Sequence, residues 1–308
     1  FAGFFLFGAG TAANMQARYA AVDLAPAALR GRHLSLVVWA TTLGAVTGPN
    51  LAAFAGASIQ GYGVPTLAGP FAFSAVVFLV AALMLTLLMR PDPAVVARQA
   101  LAQDPKASRS PRAGLRAAFG VVASHASARL GMIAMAVGHV VMVGVMAMTP
   151  VHIRGAGHDA SQTLRIVGVV ISFHIAGMYA FAPVVGWMTD RIGGRGVILG
   201  GILFLIAACA LAGTAGHDSI RLSAGLMMLG LGWSCTMVAG STLLSESVPA
   251  EMRTSAQGLS DFTMGIAGAT AGALSGVVVG AWGYPTLALV AALAAAPFLV
   301  LVSRPARA

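Results

Sequence analysis

Long apolar segments alternate with short polar connectors along the whole chain. Each apolar segment holds about 20 residues, which is the length that an α-helix needs to cross a bilayer. The segments show no strict alternation of apolar and polar positions, so the pattern excludes the strands of a membrane β-barrel. It predicts nine membrane helices, at residues 1–22, 33–56, 68–89, 130–151, 163–188, 197–215, 221–245, 256–281 and 285–302.

The low content of charged residues excludes a soluble globular domain. Only 9% of the residues are charged and 58% are hydrophobic, whereas soluble domains carry about 25% charged residues. The formal net charge of +9 would suggest a nucleic-acid partner for a soluble protein. Here the basic residues stand between apolar segments, so we expect no nucleic acid among the partners. Cys209 and Cys235 lie inside apolar runs and form neither a metal site nor a disulfide scaffold.

One connector is much longer than the others. Residues 90–127 are basic and contain several Pro and Ser residues. This stretch separates three predicted helices from six. The chain is therefore predicted to contain a partial N-terminal helical half at 1–90, a cytoplasmic inter-half loop at 91–127 and a C-terminal six-helix half at 128–308.

The basic residues fall almost entirely on one side of the predicted membrane. Successive helices cross in opposite directions, so the connectors form two alternating sets. Of the 18 Lys and Arg residues, all except Arg154, Arg165 and Arg221 belong to one set. Cytoplasmic loops carry the excess of Lys and Arg, which predicts that this set is cytoplasmic. We expect a multi-pass integral protein of the cell (plasma or inner) membrane, with the long loop in the cytoplasm.

Two connectors share a short sequence pattern. Residues 23–30 read DLAPAALR and residues 246–253 read ESVPAEMR, so an acidic residue, Pro, Ala and Arg recur at the same spacing. The repeat leaves the helices between 130 and 215 without earlier counterparts, which predicts about three further helices upstream. The predicted fold class is an all-α polytopic membrane helix bundle with two pseudo-symmetric halves, of which about nine transmembrane helices are present.

The stretch GWMTDRIGGR at 186–195 places an Asp and two Arg among three Gly. It resembles the cytoplasmic loop signature of the major facilitator superfamily, which runs Gly, three residues, Asp-Arg, one residue, Gly and then basic residues. The resemblance implies a twelve-helix transporter fold, of which this chain would hold helices four to twelve. The matching positions, which form a candidate gating motif, are Gly186, Asp190, Arg191, Gly193 and Arg195.

The residue types in this motif suit a gate. Gly186 would let two helices pack closely, and Gly193 and Gly194 would permit a tight turn. Asp190 can accept hydrogen bonds from the free N–H groups at a helix N-terminus. In the family the equivalent Asp fastens the cytoplasmic end to the other half, which implies a partner near residues 31–35. A positively charged turn with an N-capping Asp is the alternative interpretation.

A second motif, LGAVTGPN at 43–50, resembles the Gly-Pro signature of the family's antiporter, or export, branch. Gly44, Gly48 and Pro49 carry this resemblance, which favours proton-coupled efflux. Pro49 removes a backbone donor inside an apolar helix and is expected to bend it. A packing kink without a special role is the alternative.

A stripe of Met residues with one His runs along the predicted helix at 130–151. Spacings of three and four residues place these side chains on one helix face. Met is flexible and polarizable and suits varied apolar ligands, so the stripe is a candidate cavity lining; helix packing or lipid contact is the alternative. Its members are Met132, Met135, His139, Met142 and Met146.

Polar side chains at bilayer depth are candidates for a function. His139 and His174 lie near the middle of their predicted helices, and His exchanges a proton near neutral pH. A buried, hydrogen-bonded structural role is the alternative for each. The full set of candidates for cavity lining or coupling is Asn14, Asn50, His139, His174, Trp233 and Asp261.

Together these patterns predict a secondary active transporter of a small molecule that works by alternating access. The substrate is expected to be apolar or amphipathic, because no Arg or Lys lies deep in a predicted helix, and the coupling ion is expected to be the proton. A non-transporting sensor or scaffold on the same fold and an inactive truncated permease stay open as alternatives. No enzyme, cofactor or metal is expected, since paired catalytic carboxylates, HExxH and a Ser/Lys dyad do not occur.

Overall fold

The described backbone is helical. This computed structural model describes residues 3, 10, 30–63, 65, 68–92, 95–96, 99, 114–157, 159–249 and 252–303, and these ranges contain no β-strand. In chain order the α-helices that the structure describes are α1 (Arg30–Ser58), α2 (Gly69–Leu88), α3 (Leu115–Ser124), α4 (Ala126–Arg154), α5 (Ala160–Tyr179), α6 (Ala182–Ile192), α7 (Gly194–Gly213), α8 (Ser219–Ser247) and α9 (Arg253–Ser303).

Six helical segments in these ranges are long and apolar enough to cross a membrane. The all-α polytopic fold predicted from the sequence is thereby confirmed. The predicted helix at 33–56 corresponds to α1, whereas the one at 1–22 lies almost entirely outside the described residues. The six segments are Gly69–Leu88, Ala126–Arg154, Ser161–Ile192, Gly194–Gly213, Ser219–Ser247 and Ser255–Val302.

The chain forms two compact units, Phe1–Pro111 and Arg112–Ala308. In the first unit α1 packs on α2 where the second helix begins. A Cβ on Gly69 would lie only 2.3 Å from the carbonyl oxygen of Ala55 and 2.5 Å from the Cα of Gly56. The two helix backbones therefore touch at this point, as small residues allow in membrane proteins.

Helix α8 lies at the centre of the second unit, between α4, α5 and α7. A Cβ on Gly230 would lie 2.2 Å from the carbonyl oxygen of His174 in α5. A Cβ on Gly240 would approach a backbone oxygen of α4 to 2.8 Å, and one on Gly232 would approach a backbone oxygen of α7 to the same distance. The backbone of α8 is thus held in direct contact with three neighbouring helices.

Apolar side chains fill the remaining space around α8. Helix α9 closes the unit by packing along α4 and α7. This core fixes the relative positions of the side chains at mid-length on α4, α5, α8 and α9. The large apolar side chains with no exposed surface are Val141, Val145, Val170, Ile198, Ile202, Leu205, Leu226 and Leu229.

The predicted helix at 163–188 is interrupted in the structure. Helix α5 ends at Tyr179 and α6 begins at Ala182, with Pro183 in its first turn. Proline lacks a backbone N–H and disfavours a helical conformation in the residue before it, which accounts for the break. The apolar segment still continues across it, so α5 and α6 make one membrane span.

Helix α9 contains two of the predicted helices. Its backbone is helical throughout except at Gly283, which has φ 81° and ψ 171°. This conformation lies outside the region that L side chains readily adopt. Gly283 therefore marks the boundary between the predicted helices at 256–281 and 285–302.

The end of the predicted inter-half loop at 91–127 is helical. Helix α3 lies within it, and α4 already begins at Ala126. Ala118 and Val122, one helical turn apart on α3, are buried in an apolar cluster that includes Leu259 and Met264 of α9. Burial of this one face stabilises α3 as a helix. The Arg and Ser residues of the segment had suggested a loop.

Candidate functional site

Four residues meet near the middle of four membrane spans. His139 lies near the midpoint of α4, Trp233 at the midpoint of α8, and Gly268 near the midpoint of the first part of α9. Tyr179 ends α5 but lies close to the middle of the apolar segment Ser161–Ile192. We call these four residues the central cluster. They lie at the depth where secondary transporters place substrate and ion sites.

A side-chain hydrogen bond joins α4 to α8 in this cluster. The indole Nε1–H of Trp233 donates to Nδ1 of His139 at 3.2 Å. Because the indole nitrogen can only donate, Nδ1 must be an unprotonated acceptor, and the ring proton of neutral His139 must lie on Nε2. The bond to Trp233 therefore fixes both the charge state and the tautomer of His139.

Two further contacts position these rings. Tyr179 meets Trp233 edge to face, with ring centroids 5.8 Å apart and an interplanar angle of 76°, which is a favourable aromatic arrangement. On α9, a Cβ at Gly268 would lie 2.9 Å from both Nε2 and Cδ2 of His139. The His139 ring can occupy this place only because residue 268 has no side chain.

Neither Tyr179 nor Gly268 was among the candidates from the sequence. A Tyr at the end of a helix and one Gly among 38 carry no motif. Depth was the available signal, since both residues lie near the middle of an apolar segment, as His139 and Trp233 do. The packing that brings the four residues together is tertiary and leaves no local pattern.

Formal charges are sparse around the central cluster. Asp261 precedes Gly268 by two turns on α9, about 10 Å along the helix axis, and is half-buried. The other Asp, Glu, Lys and Arg residues that the structure describes inside α4, α5 and α8 lie close to the helix ends. They are Arg129, Arg154, Arg165, Arg221 and Glu246.

His174 has a different environment, although the sequence treated it like His139. It is completely buried between α5 and α8. Its Nδ1 lies 2.8 Å from the carbonyl oxygen of Leu226, which can only accept, so Nδ1 carries the proton. Its backbone carbonyl touches Gly230. This geometry favours the structural alternative for His174, as a residue that fastens α5 to α8.

The Met stripe on α4 packs inside the second unit. Met135 and Met142 are only 3% and 6% exposed. The Sδ of Met135 accepts a hydrogen bond from the hydroxyl of Ser260 on α9 at 3.6 Å. Met132 and Met146 pack at the edges of the same apolar clusters. These contacts favour helix packing over cavity lining for the stripe.

Two roles were predicted for the glycines of the loop motif, namely a tight turn and close helix packing. Gly193 has a φ of 83° between α6 and α7, so the tight turn is confirmed. A Cβ on Gly194 would lie 2.7 Å from Cγ of Leu243 on α8. A Cβ on Gly186 would meet no heavy atom within 4 Å. Among the residues that the structure describes, Gly194 makes a close approach to α8, because it is the residue that faces that helix. The close packing predicted for Gly186 stays a prediction.

The charged residues of the motif lie at the surface of the second unit. Asp190 and Arg191 are exposed, and the guanidinium carbon of Arg191 lies 5.2 Å from the centre of the Trp187 ring. Nη2 of Arg195 donates to the carbonyl oxygen of Val302 on α9 at 3.3 Å. Arg195 thus joins the start of α7 to the end of α9, while the latch predicted for Asp190 stays a prediction.

The Gly-Pro motif lies inside α1. Gly44, Gly48 and Pro49 are all part of one helix that continues past them. A Cβ on Gly44 or Gly48 would meet no heavy atom within 4 Å, and Asn50 is exposed on the same helix. Helix α1 thus continues through Pro49 without a break. The bend expected at Pro49 stays a prediction. Asn14 lies outside the described residues.

A second group of rings lies at the end of the unit near Arg154, the end predicted to face away from the cytoplasm. Nε2–H of His152 donates to the carbonyl oxygen of Gly216 at 2.7 Å. The His152 ring stacks on Tyr284 with centroids 4.4 Å apart, and the Tyr284 hydroxyl lies 2.9 Å from that of Thr149. These four residues, the distal cluster, join α4, the α7–α8 connector and the second part of α9.

Residues 155–308, half of the chain, match the family described as Major Facilitator Superfamily. The matched region includes the loop motif at 186–195 and three members of the central cluster. The chain belongs to the Major Facilitator Superfamily. It is accordingly a multi-pass integral membrane protein of a transporter family and not an enzyme.

Individual relatives agree with the assignment to a transporter family. The chain is 38% identical over 286 residues, 92% of its length, to the uncharacterized MFS-type transporter YdeG of Bacillus subtilis (strain 168). It is 36% identical over 290 residues, 94% of its length, to the uncharacterized MFS-type transporter YddS of the same organism. The riboflavin transporter RfnT of Brucella anthropi is 27% identical over 282 residues, which cover 88% of this chain and 63% of RfnT. The chain spans 65% of the length of each Bacillus relative.

Proposed function

We propose that this protein is a secondary transporter that exports a small apolar or amphipathic molecule in exchange for protons. The observation that carries the proposal is the central cluster, in which His139, Tyr179 and Trp233 meet at mid-membrane depth. Aromatic faces and an imidazole offer shape and weak polar contacts without a fixed charge. Such a surface suits a flat or amphipathic molecule better than a strongly hydrated ion.

The direction and the coupling ion rest on separate features. Gly44, Gly48 and Pro49 on α1 match the pattern of the export branch, which supports efflux. His139 is the basic residue of the central cluster, which supports coupling to protons. We propose that the exposed Asp190 latches the cytoplasmic end in one of the two states of the cycle. We also propose that the protein lies in the cell membrane with its long connector in the cytoplasm.

Transport by the 308-residue chain in proteoliposomes tests this proposal. Ethidium and riboflavin are suitable probes, because both are flat aromatic molecules and one relative is named a riboflavin transporter. We expect movement of a probe above that in empty liposomes, accelerated by a pH gradient. Asp190→Asn should slow the flux by about tenfold, since a lost charge-assisted contact costs of the order of 1.5–3 kcal/mol.

Asp190→Glu is the matched control, because it keeps the negative charge and should retain most of the flux. A chain that binds a probe but gives no flux above empty liposomes, with or without a pH gradient, would contradict transport. Flux that is equal with and without the pH gradient would leave transport standing and remove the proton from the proposal.

A further inference from the structure

The hydrogen bond between His139 and Trp233 uses the one nitrogen that His139 needs to take up a proton. Neutral His139 already carries a proton on Nε2, so a second proton can bind only at Nδ1. The lone pair of Nδ1 accepts the indole N–H of Trp233 at 3.2 Å. Protonation would set two N–H groups against each other at that distance, and the bond would be lost.

We propose that His139 and Trp233 form a proton-operated element of the central cluster, in which a proton on Nδ1 and the Trp233 hydrogen bond exclude each other. Acidification then releases the indole of Trp233 from α4. Because Trp233 also packs edge to face on Tyr179, the release reaches α5. One proton thereby changes side-chain contacts among α4, α5 and α8.

The groups that face His139 from the neighbouring helices would not stabilise its bond to Trp233 once it is charged. Trp233 on α8 is a donor, Gly268 on α9 has no side chain, and Tyr179 on α5 contacts the indole. Asp261, the carboxylate on the same part of α9, lies about 10 Å from Gly268 along the helix axis. His174 on α5 is bonded to a backbone carbonyl of α8. The imidazolium would therefore have to displace the indole.

The exclusion gives a mechanism for antiport, and this step rests on the proposed function. With neutral His139, Trp233 is held against Tyr179 and forms an ordered aromatic surface for the substrate. With charged His139, that surface is released and acquires a positive charge that repels a cation such as ethidium. Substrate and proton then bind in alternation, and by reciprocity each lowers the affinity for the other equally.

Fluorescence of Trp233 tests the exclusion without a substrate. Replacing Trp39, Trp187 and Trp282 by Phe leaves Trp233 as the single Trp of the chain. We expect its emission to change in one reversible transition as the pH is lowered from about 8 towards the acid limit of the protein's stability. His139→Gln should abolish the transition, because the Gln side-chain oxygen accepts from Trp233 at every pH.

His152→Gln is the matched control, since it makes the same change on the same helix and should leave the transition in place. A transition that persists in His139→Gln, or an emission of Trp233 that stays constant over the whole range, would overturn the proposal. If His139→Gln does not fold, the indole N–H resonance of Trp233 in ¹⁵N-tryptophan-labelled protein gives the same answer. We expect acidification to move it upfield as the bond is lost, and a constant position would overturn the proposal.

Ethidium transport separates this inference from the proposed function. We expect His139→Gln to lower the ratio of gradient-driven ethidium accumulation to ethidium exchange by about tenfold, within the usual range of coupling free energies. An equal ratio in both chains would remove His139 from the coupling. Absence of ethidium movement in the unsubstituted chain would count against the proposed function, while the fluorescence of Trp233 would still decide the exclusion.

Discussion

The central and distal clusters both place a His of α4 between helices, but they use its ring in opposite ways. His139 accepts a hydrogen bond from Trp233, whereas His152 donates one to the carbonyl oxygen of Gly216. A second proton removes the acceptor and leaves the donor in place. A His therefore responds to protons through its bonding role, and the residue type alone does not determine the response.

His174 belongs with His152 in this comparison. It also donates to a backbone carbonyl, that of Leu226, and uptake of a proton would leave this donor in place. His139 and His174 have the same residue type and the same predicted depth in the membrane. The structure shows that they make different kinds of hydrogen bond. Of His139, His152 and His174, only His139 makes a bond that requires the neutral ring.

The largest loss of stability in the central cluster should come from Gly230→Ala. This substitution disturbs the α5–α8 contact that holds Tyr179 beside Trp233. The new Cβ would lie 2.2 Å from the backbone oxygen of His174 and 2.8 Å from the backbone nitrogen of Met178. Backbone atoms cannot turn aside, so we expect a loss of about 3 kcal/mol or more in the free energy of unfolding.

The melting temperature of the detergent-solubilised protein, followed by size-exclusion chromatography, measures this loss. Gly265→Ala is the control, because a Cβ there would meet no heavy atom within 4 Å. Equal melting temperatures for the two variants would show that α5 and α8 are not held as closely as described.

A smaller effect is expected from Trp233→Phe, which removes the donor to His139 and keeps an aromatic ring beside Tyr179. Nδ1 of His139 would lose its partner in a half-buried place, at a cost of about 1–3 kcal/mol. The melting temperature near pH 8 should fall accordingly. Above all, the difference between melting temperatures near pH 8 and pH 5 should shrink, since protonation has no bond left to break. An unchanged difference would contradict the different responses to protons that we infer for the central and distal clusters.

At the distal cluster, Tyr284→Phe should cost about 1 kcal/mol. It deletes the hydroxyl contact with Thr149 and keeps the ring that stacks on His152. Thr149 still donates to the carbonyl oxygen of Val145 at 3.0 Å, so no hydroxyl is left without a partner. A double-mutant cycle of Tyr284→Phe with Thr149→Val measures the pair, and a coupling energy near zero would contradict the contact.

The smallest effect is expected from His152→Gln. The Gln side-chain amide can donate to Gly216 as Nε2–H did, so mainly the stacking of the His152 ring on Tyr284 and on His217 is lost, worth about 0.5–1.5 kcal/mol. The melting temperatures near pH 8 and pH 5 should fall by similar amounts. A selective loss at one pH would mean that the distal cluster responds to protons as well.

The sequence predicted the fold well because a membrane helix is defined by length and apolar character, which are local properties. It also predicted the turn at Gly193, since a Gly pair between two apolar helices is a local signal. Pro183 carried an equally local signal for the break between α5 and α6, but the continuous apolar pattern concealed it.

The candidate site was predictable only in part. His139 and Trp233 stood out because each carries polar nitrogen at bilayer depth, which is costly without a partner and usually serves a role. The sequence could not show that one bonds to the other, that Gly268 makes room for the imidazole, or that His174 is bonded to a backbone. Those facts depend on which helix faces pack together, and the Gly contacts of α8 with three helices decide that.

The contacts of α8 also bear on how this protein resists force. Its backbone touches α4, α5 and α7 at glycines, which leaves no space for a lipid chain to enter and replace lost contacts. When the chain is pulled out of a membrane from its C-terminal end by a single-molecule probe, α9 can leave without parting these glycine contacts. Extraction of α8 must separate it from all three neighbours at once. The second unit should therefore yield in few, large steps, and the highest rupture force should fall at α8.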